Sequence, residues 1–151
     1  MSTRAVIQIK KTTKYEGINP NNGEHRLQYY HHFDGYTSYL GIELVKILLD
    51  FINEQDPEKI KSIDDIRWYM ENILTQRYQI EDPKIIHGDI EYFYLIDFDD
   101  GITLTRFKRN DFEKDKPDYP EKWADKHILL KVSLQEKYYR LELIDYSYKF
   151  N

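Results

Sequence analysis

No cysteine occurs among the 151 residues. That excludes a disulfide framework, a thiolate metal site and a cysteine nucleophile, and it makes a reducing compartment, the cytoplasm of a cell, the expected home. Long apolar runs are missing too. Only five residues separate Arg4 from Lys10, so the long apolar stretch of a signal peptide is not expected there, and no later run approaches the roughly 18 residues of a membrane span. A soluble chain is predicted, with no membrane partner. Excess positive charge is also lacking: 27 acidic against 22 basic residues leave a formal charge of −5. A broad footprint for nucleic-acid phosphates, and so direct nucleic-acid binding, is therefore not expected, and a partner with a basic surface is. No serine nucleophile elbow, HExxH helix, GxGxxG turn or Walker loop is present. No repeat of 20 to 50 residues recurs and no low-complexity tract appears, which argues against solenoids and arrays. The length itself suits one globular domain spanning 1–151.

Aromatic residues are abundant, at 15% of the chain with 14 tyrosines. Such side chains suit a sheet, and some suit a binding surface, because each joins a large contact area to a polar hydroxyl. AVIQIK, residues 5 to 10, alternates Ala5, Ile7 and Ile9 inward against Val6, Gln8 and Lys10, the period of a half-buried strand. After a loop in GINPNNGE, HRLQYYHHF alternates Leu27, Tyr29, His31 and Phe33 against Gln28, Tyr30 and His32, which predicts a long-looped hairpin.

From Leu40 the period changes to that of a helix. Leu40, Leu44, Ile47, Leu48 and Phe51 form one face, widened by Ile42, Val45, Leu49 and Ile52. Pro57 interrupts, and Ser62 with Asp65 makes a Ser-x-x-Asp cap for a second helix with Ile66, Met70, Ile73 and Leu74 inside and Trp68 and Tyr69 at its margins. The segment DIEYFYLIDFDDGITLTRF joins two aromatic and β-branched runs at Asp100-Gly101, a hairpin whose first strand has apolar residues on both faces and so belongs in the middle of a sheet. In it Ile90, Tyr92, Tyr94, Ile96 and Phe98 are expected on one face, and Glu91, Phe93, Leu95 and Asp97 on the other. Residues 108 to 126 read as a charged excursion with one short helical turn, and KHILLKVSL with KYYRLELIDYSYKF as a third hairpin. The predicted fold is α+β: a mostly antiparallel sheet of about six strands with two main helices packed on one face.

Three groups of residues invite chemistry. His31, His32 and Asp34 precede the first helix; on an extended strand His32 and Asp34 would share a face, and His87-Gly88-Asp89 repeats the His-x-Asp pattern. Brought together, His32, Asp34, His87 and Asp89 would offer four nitrogen and oxygen ligands to a divalent metal. The plainer account is turn chemistry at Asp34-Gly35 and Gly88-Asp89, with the histidines as polar strand residues. Asp97, Asp99 and Asp100, with Glu91 and Asp89 upstream, could hold magnesium, although an Asp-Gly hairpin tip needs such residues anyway. Tyr138, Tyr139, Tyr146 and Tyr148, with Tyr29, Tyr30, Tyr36 and Tyr39 earlier, suit cross-strand pairs, base stacking or a protein-binding face.

Ser2-Thr3-Arg4-Ala5 with Ile7, followed by His32-Phe33-Asp34-Gly35-Tyr36 and by Gly41 opening a helix, resembles a family of short proteins carried by bacteriophages and other mobile elements. IEYFYLID resembles that family's central strand. Thr37 stands where the family's segment has proline. The resemblance implies an accessory protein working in the cytoplasm of a host cell. With the acidic, tyrosine-rich composition it points to a protein without a cofactor that acts by binding, as an inhibitor in the basic groove of a host defence nuclease of the CRISPR type. The expected binding residues are Tyr30, His32, Asp34, Tyr36, Asp97, Asp99 and Asp100. A metal-dependent hydrolase of nucleotides or nucleic acid built on the two His-x-Asp pairs is the competing expectation, and a sponge for a signalling nucleotide the third.

Overall fold

The computed structural model describes residues 3–12, 24–54, 63–99, 101–110, 120–135 and 140–145. Among these residues seven strands form one sheet: β1 (Ala5–Thr12), β2 (Glu24–His31), β3 (Gln79–Glu81), β4 (Tyr92–Asp97), β5 (Ile102–Lys108), β6 (Asp125–Gln135) and β7 (Arg140–Asp145), in the spatial order β3-β2-β1-β4-β5-β6-β7. Every neighbouring pair is antiparallel except β1 with β4, which run parallel from Ala5 opposite Tyr92 to Lys10 opposite Asp97. The α+β architecture, the mostly antiparallel sheet and the three hairpins match the sequence pattern. The seventh strand is β3, whose three residues are too few to display a period of two.

Two helices, α1 (Ile42–Glu54) and α2 (Ile63–Arg77), supply one side of the main core. From α1 come Leu44, Val45, Ile47, Leu48 and Phe51, and from α2 come Ile66, Met70 and Leu74. They meet Ala5, Ile7, Ile9, Tyr29, Tyr92, Tyr94 and Ile96 on the sheet. The Tyr29 hydroxyl donates to the Glu71 carbonyl oxygen at 3.2 Å and lies 3.0 Å from Thr75 Oγ1, joining β2 to α2. Tyr69 tucks against Phe51 at 4.2 Å between ring centres, while Trp68 faces solvent. The Ser62 cap lies outside the described residues. Among the described residues, no helix is long and apolar enough to cross a membrane.

The far face of the sheet is also covered, by Val6, Tyr30, Phe93, Leu95 and Phe107 packed with Ile90 and Trp123. Trp123 follows a 3₁₀ turn, Pro120–Lys122, within the excursion. Ile90 thus lies with Phe93 and Leu95, opposite to its expected face. The cause is local: β4 begins only at Tyr92, so alternation cannot be extended back to Ile90. A bulge in β6, where Leu104 pairs with Leu130 and Thr105 with Ile128, turns the consecutive Leu129 and Leu130 both into the main core.

Candidate functional site

The segment after β2 is fastened to the start of β1. Asp34 takes a left-handed conformation, φ 54°, which aspartate tolerates better than most residues. Gly35 then donates its N–H to the Thr3 carbonyl at 2.9 Å and accepts a 2.7 Å hydrogen bond from the Tyr94 hydroxyl on its own carbonyl. A Cβ at position 35 would sit 2.8 Å from Ala5 Cβ and 2.9 Å from the Thr3 oxygen, so the close approach requires glycine here and a small residue at 5. The two sequence motifs, Thr3-Arg4-Ala5 and Asp34-Gly35-Tyr36, are therefore two halves of one contact. Next, Tyr36 (φ −58°, ψ 152°) caps a π-helical turn, Thr37–Gly41, and its carbonyl accepts from the N–H groups of Tyr39 and Leu40 at 3.0 and 2.9 Å.

This geometry corrects the expectation that His32 and Asp34 share a strand face. β2 ends at His31, and the reversal at Asp34 that carries Gly35 to Thr3 breaks the alternation. Phe33, expected on the same face as Leu27 and Tyr29, is instead 66% exposed for the same reason.

Three of the four proposed metal ligands do gather, but around Tyr30. The His87 ring stacks on it with centres 3.9 Å apart, His32 meets it edge-on at 4.4 Å, and its hydroxyl donates to Asp89 at 3.1 Å. Asp89 is also paired with the Arg4 guanidinium, and His87 Nε2 lies 2.6 Å from Glu81 Oε1. Asp34 faces solvent on the turn. Among the described residues no group of three or more His, Asp or Glu is arranged to hold a metal ion. The acid–base chemistry follows the same contacts. Burial raises the Asp89 pKa, but hydrogen bonds from Arg4 and Tyr30 and the Arg4 charge outweigh it and leave the net value lowered. Burial and the Asp89 carboxylate together raise that of Tyr30. One group is held ionised and the other protonated, so neither is tuned toward neutral pH.

The acidic candidates lie at the other end of β4, some six residues or about 20 Å away. Asp99 accepts hydrogen bonds from the Thr12 N–H and, at 3.0 Å, from Thr12 Oγ1, with Lys10 Nζ at 3.5 Å. Asp97 Oδ1 accepts the Asp99 N–H at 2.9 Å. These carboxylates clamp the end of β1 to the β4–β5 hairpin. Asp100 and the late tyrosines Tyr138, Tyr139, Tyr146 and Tyr148 lie outside the described residues.

What sequence reasoning did not assemble is a row of aromatics beside the fastened segment, two exposed and one buried behind them. Tyr39 is 62% and Tyr36 39% exposed, their ring centres 6.3 Å apart, and Tyr36 continues at 6.1 Å to Tyr92, over which Lys108 Nζ sits 5.9 Å from the ring centre. One signal was available: Tyr39 falls off the apolar face that begins at Leu40. The Tyr36–Tyr92 contact joins positions far apart in sequence and left no local trace. No protein-family model, no curated protein and no solved structure matches this chain.

Proposed function

We propose that this chain acts by binding a protein partner through the exposed Phe33, Tyr36 and Tyr39, with the buried Tyr92 backing Tyr36. The observation that carries this reading is the exposure of Phe33, Tyr36 and Tyr39 on a segment fastened by Gly35 to Thr3 and Tyr94. Exposed aromatics held in place lose little further entropy on binding, and tyrosines are among the residues on which interfaces most depend. The charge of −5 supports a partner with a basic surface. The resemblance to proteins of phages and mobile elements supports a host target, a defence nuclease being the type that combines both features.

The test is affinity capture from a bacterial host lysate with the wild-type chain and a Tyr36→Ser/Tyr39→Ser variant of unchanged circular dichroism. A basic protein retained by the first, lost by the second and released by salt is the expected result. Equal capture by both would remove the aromatic row from the reading. The same row beside Lys108 favours a second reading, base stacking with a phosphate close by, as a nucleotide sponge needs. That reading requires an intact nucleotide to be released from the purified protein on heating.

A further inference from the structure

We propose that the far face of the sheet carries a socket for one branched aliphatic side chain of a peptide, with the Gln8 amide as its polar contact. A cavity of about 70 Å³ opens there, lined among others by Val6, Gln8, Ile86, Ile90 and Phe93. Its rim includes two consecutive isoleucines that face solvent, Ile85 at 45% and Ile86 at 58% exposure. It lies on the opposite face from Tyr92, so it stands or falls independently of the aromatic row.

The polar floor has a fixed direction. Arg26 Nη1 donates to Gln8 Oε1 at 2.6 Å, which turns the Gln8 nitrogen toward Gln28 Oε1, also at 2.6 Å. Gln28 Nε2 uses both its hydrogens, on Glu81 Oε1 at 2.6 Å and on the Ile85 carbonyl at 3.0 Å. His87 holds the same Glu81 oxygen. Among the described residues this leaves one of the four side-chain amide hydrogens on Gln8 and Gln28 without an acceptor, the second on Gln8 Nε2. Apolar walls around a single spare donor fit an aliphatic group attached to a carbonyl.

Size selects the source. Sites for whole small ligands measure roughly 300–1,000 Å³, and an apolar cavity that takes benzene about 150 Å³. A space of about 70 Å³ admits only a protruding part of something larger, and the exposed isoleucines give a peptide backbone an apolar surface to lie on.

The experiment is an NMR titration of the full chain with N-acetyl-leucine-N′-methylamide, its alanine analogue and isopropanol. The leucine probe should shift the Gln8 side-chain amide and the Val6 and Ile90 methyl signals saturably. The three carbons separating leucine from alanine correspond to about 50-fold in affinity when fully buried, and partial exposure leaves at least about tenfold. Ile86→Ser, with Ile85→Ser as a second rim variant, should weaken the leucine probe at least about threefold. The proposal is overturned if the shifts do not saturate, if alanine binds as well as leucine, if both rim variants bind unchanged, or if isopropanol matches leucine, which would mark a small-molecule site.

Discussion

The buried hydroxyl of Tyr94 donates a 2.7 Å hydrogen bond to the carbonyl oxygen of Gly35, 59 residues earlier in the chain. Tyr94→Phe keeps the ring and removes the donor, leaving that carbonyl without it. A loss of about 1–3 kcal/mol is expected, the usual cost of an unsatisfied buried polar group. Urea denaturation should show a lowered midpoint with an unchanged slope.

Gly35 and Gly88 provide a matched pair. An alanine Cβ at 35 meets Ala5 Cβ at 2.8 Å and a backbone oxygen at 2.9 Å, whereas at 88 it meets nothing within 4 Å. Gly35→Ala should cost at least about 1–3 kcal/mol through overpacking. Gly88→Ala should be neutral or stabilise by up to about 1 kcal/mol, because it narrows the unfolded ensemble. Thermal melts of the two variants should move apart.

Thr37→Pro should be accepted. Tyr36 already has ψ 152°, the extended conformation that a following proline imposes, and position 37 opens the helical turn, where proline's lack of an N–H is least costly. Stability within about 1 kcal/mol of wild type is the expected result of chemical denaturation; a collapse of the helical circular dichroism would refute it.

Acid should act in two windows. Burial lowers the pKa of His31 despite the opposing charges of Glu43 and Asp34, so below its ordinary 6.5 the unfolded chain takes up more protons than the native one. Stability therefore declines as pH falls from that value toward the folded one. Asp89 is lowered from 3.8, so its contribution is complete above that pH and is lost as pH falls through the folded value. Urea midpoints measured from pH 8 to pH 3 should show a flatter first decline for His31→Gln and a flatter second decline for Asp89→Asn.

Regular elements left regular traces in the sequence. The spacing of Leu40, Leu44, Ile47, Leu48 and Phe51 marked the buried face of the π-helical turn and α1, and apolar residues on both sides of the β4 run marked a central strand; all are buried or central here. The irregular joints were not legible in the same way. Alternation carried past its end placed Phe33 and Ile90 wrongly, because a turn at Asp34 and a late start at Tyr92 interrupt it. Trp123, buried on the far face, sits in a charged stretch with no period to reveal it. For the candidate site, the residue types around Asp34-Gly35 were visible, but their meeting with Thr3, Tyr92 and Tyr94 depends on non-local pairing that one sequence does not encode locally.

The parallel pairing of β1 with β4 has a consequence for the order of events at the ribosome. β1 and β2 emerge early and can form their hairpin, yet the other edge of β1, where the Arg4 and Lys10 carbonyls accept from the β4 side, has no neighbour until β4 is made. At about 5–20 residues per second, the 85 residues from position 13 through Asp97 take roughly 4–17 s to synthesise. During that interval an apolar strand edge is open to wrong pairing, with other nascent chains above all. A sheet whose middle closes late cannot finish folding before β4 is synthesised, and its yield should depend on how well that edge is shielded in the meantime.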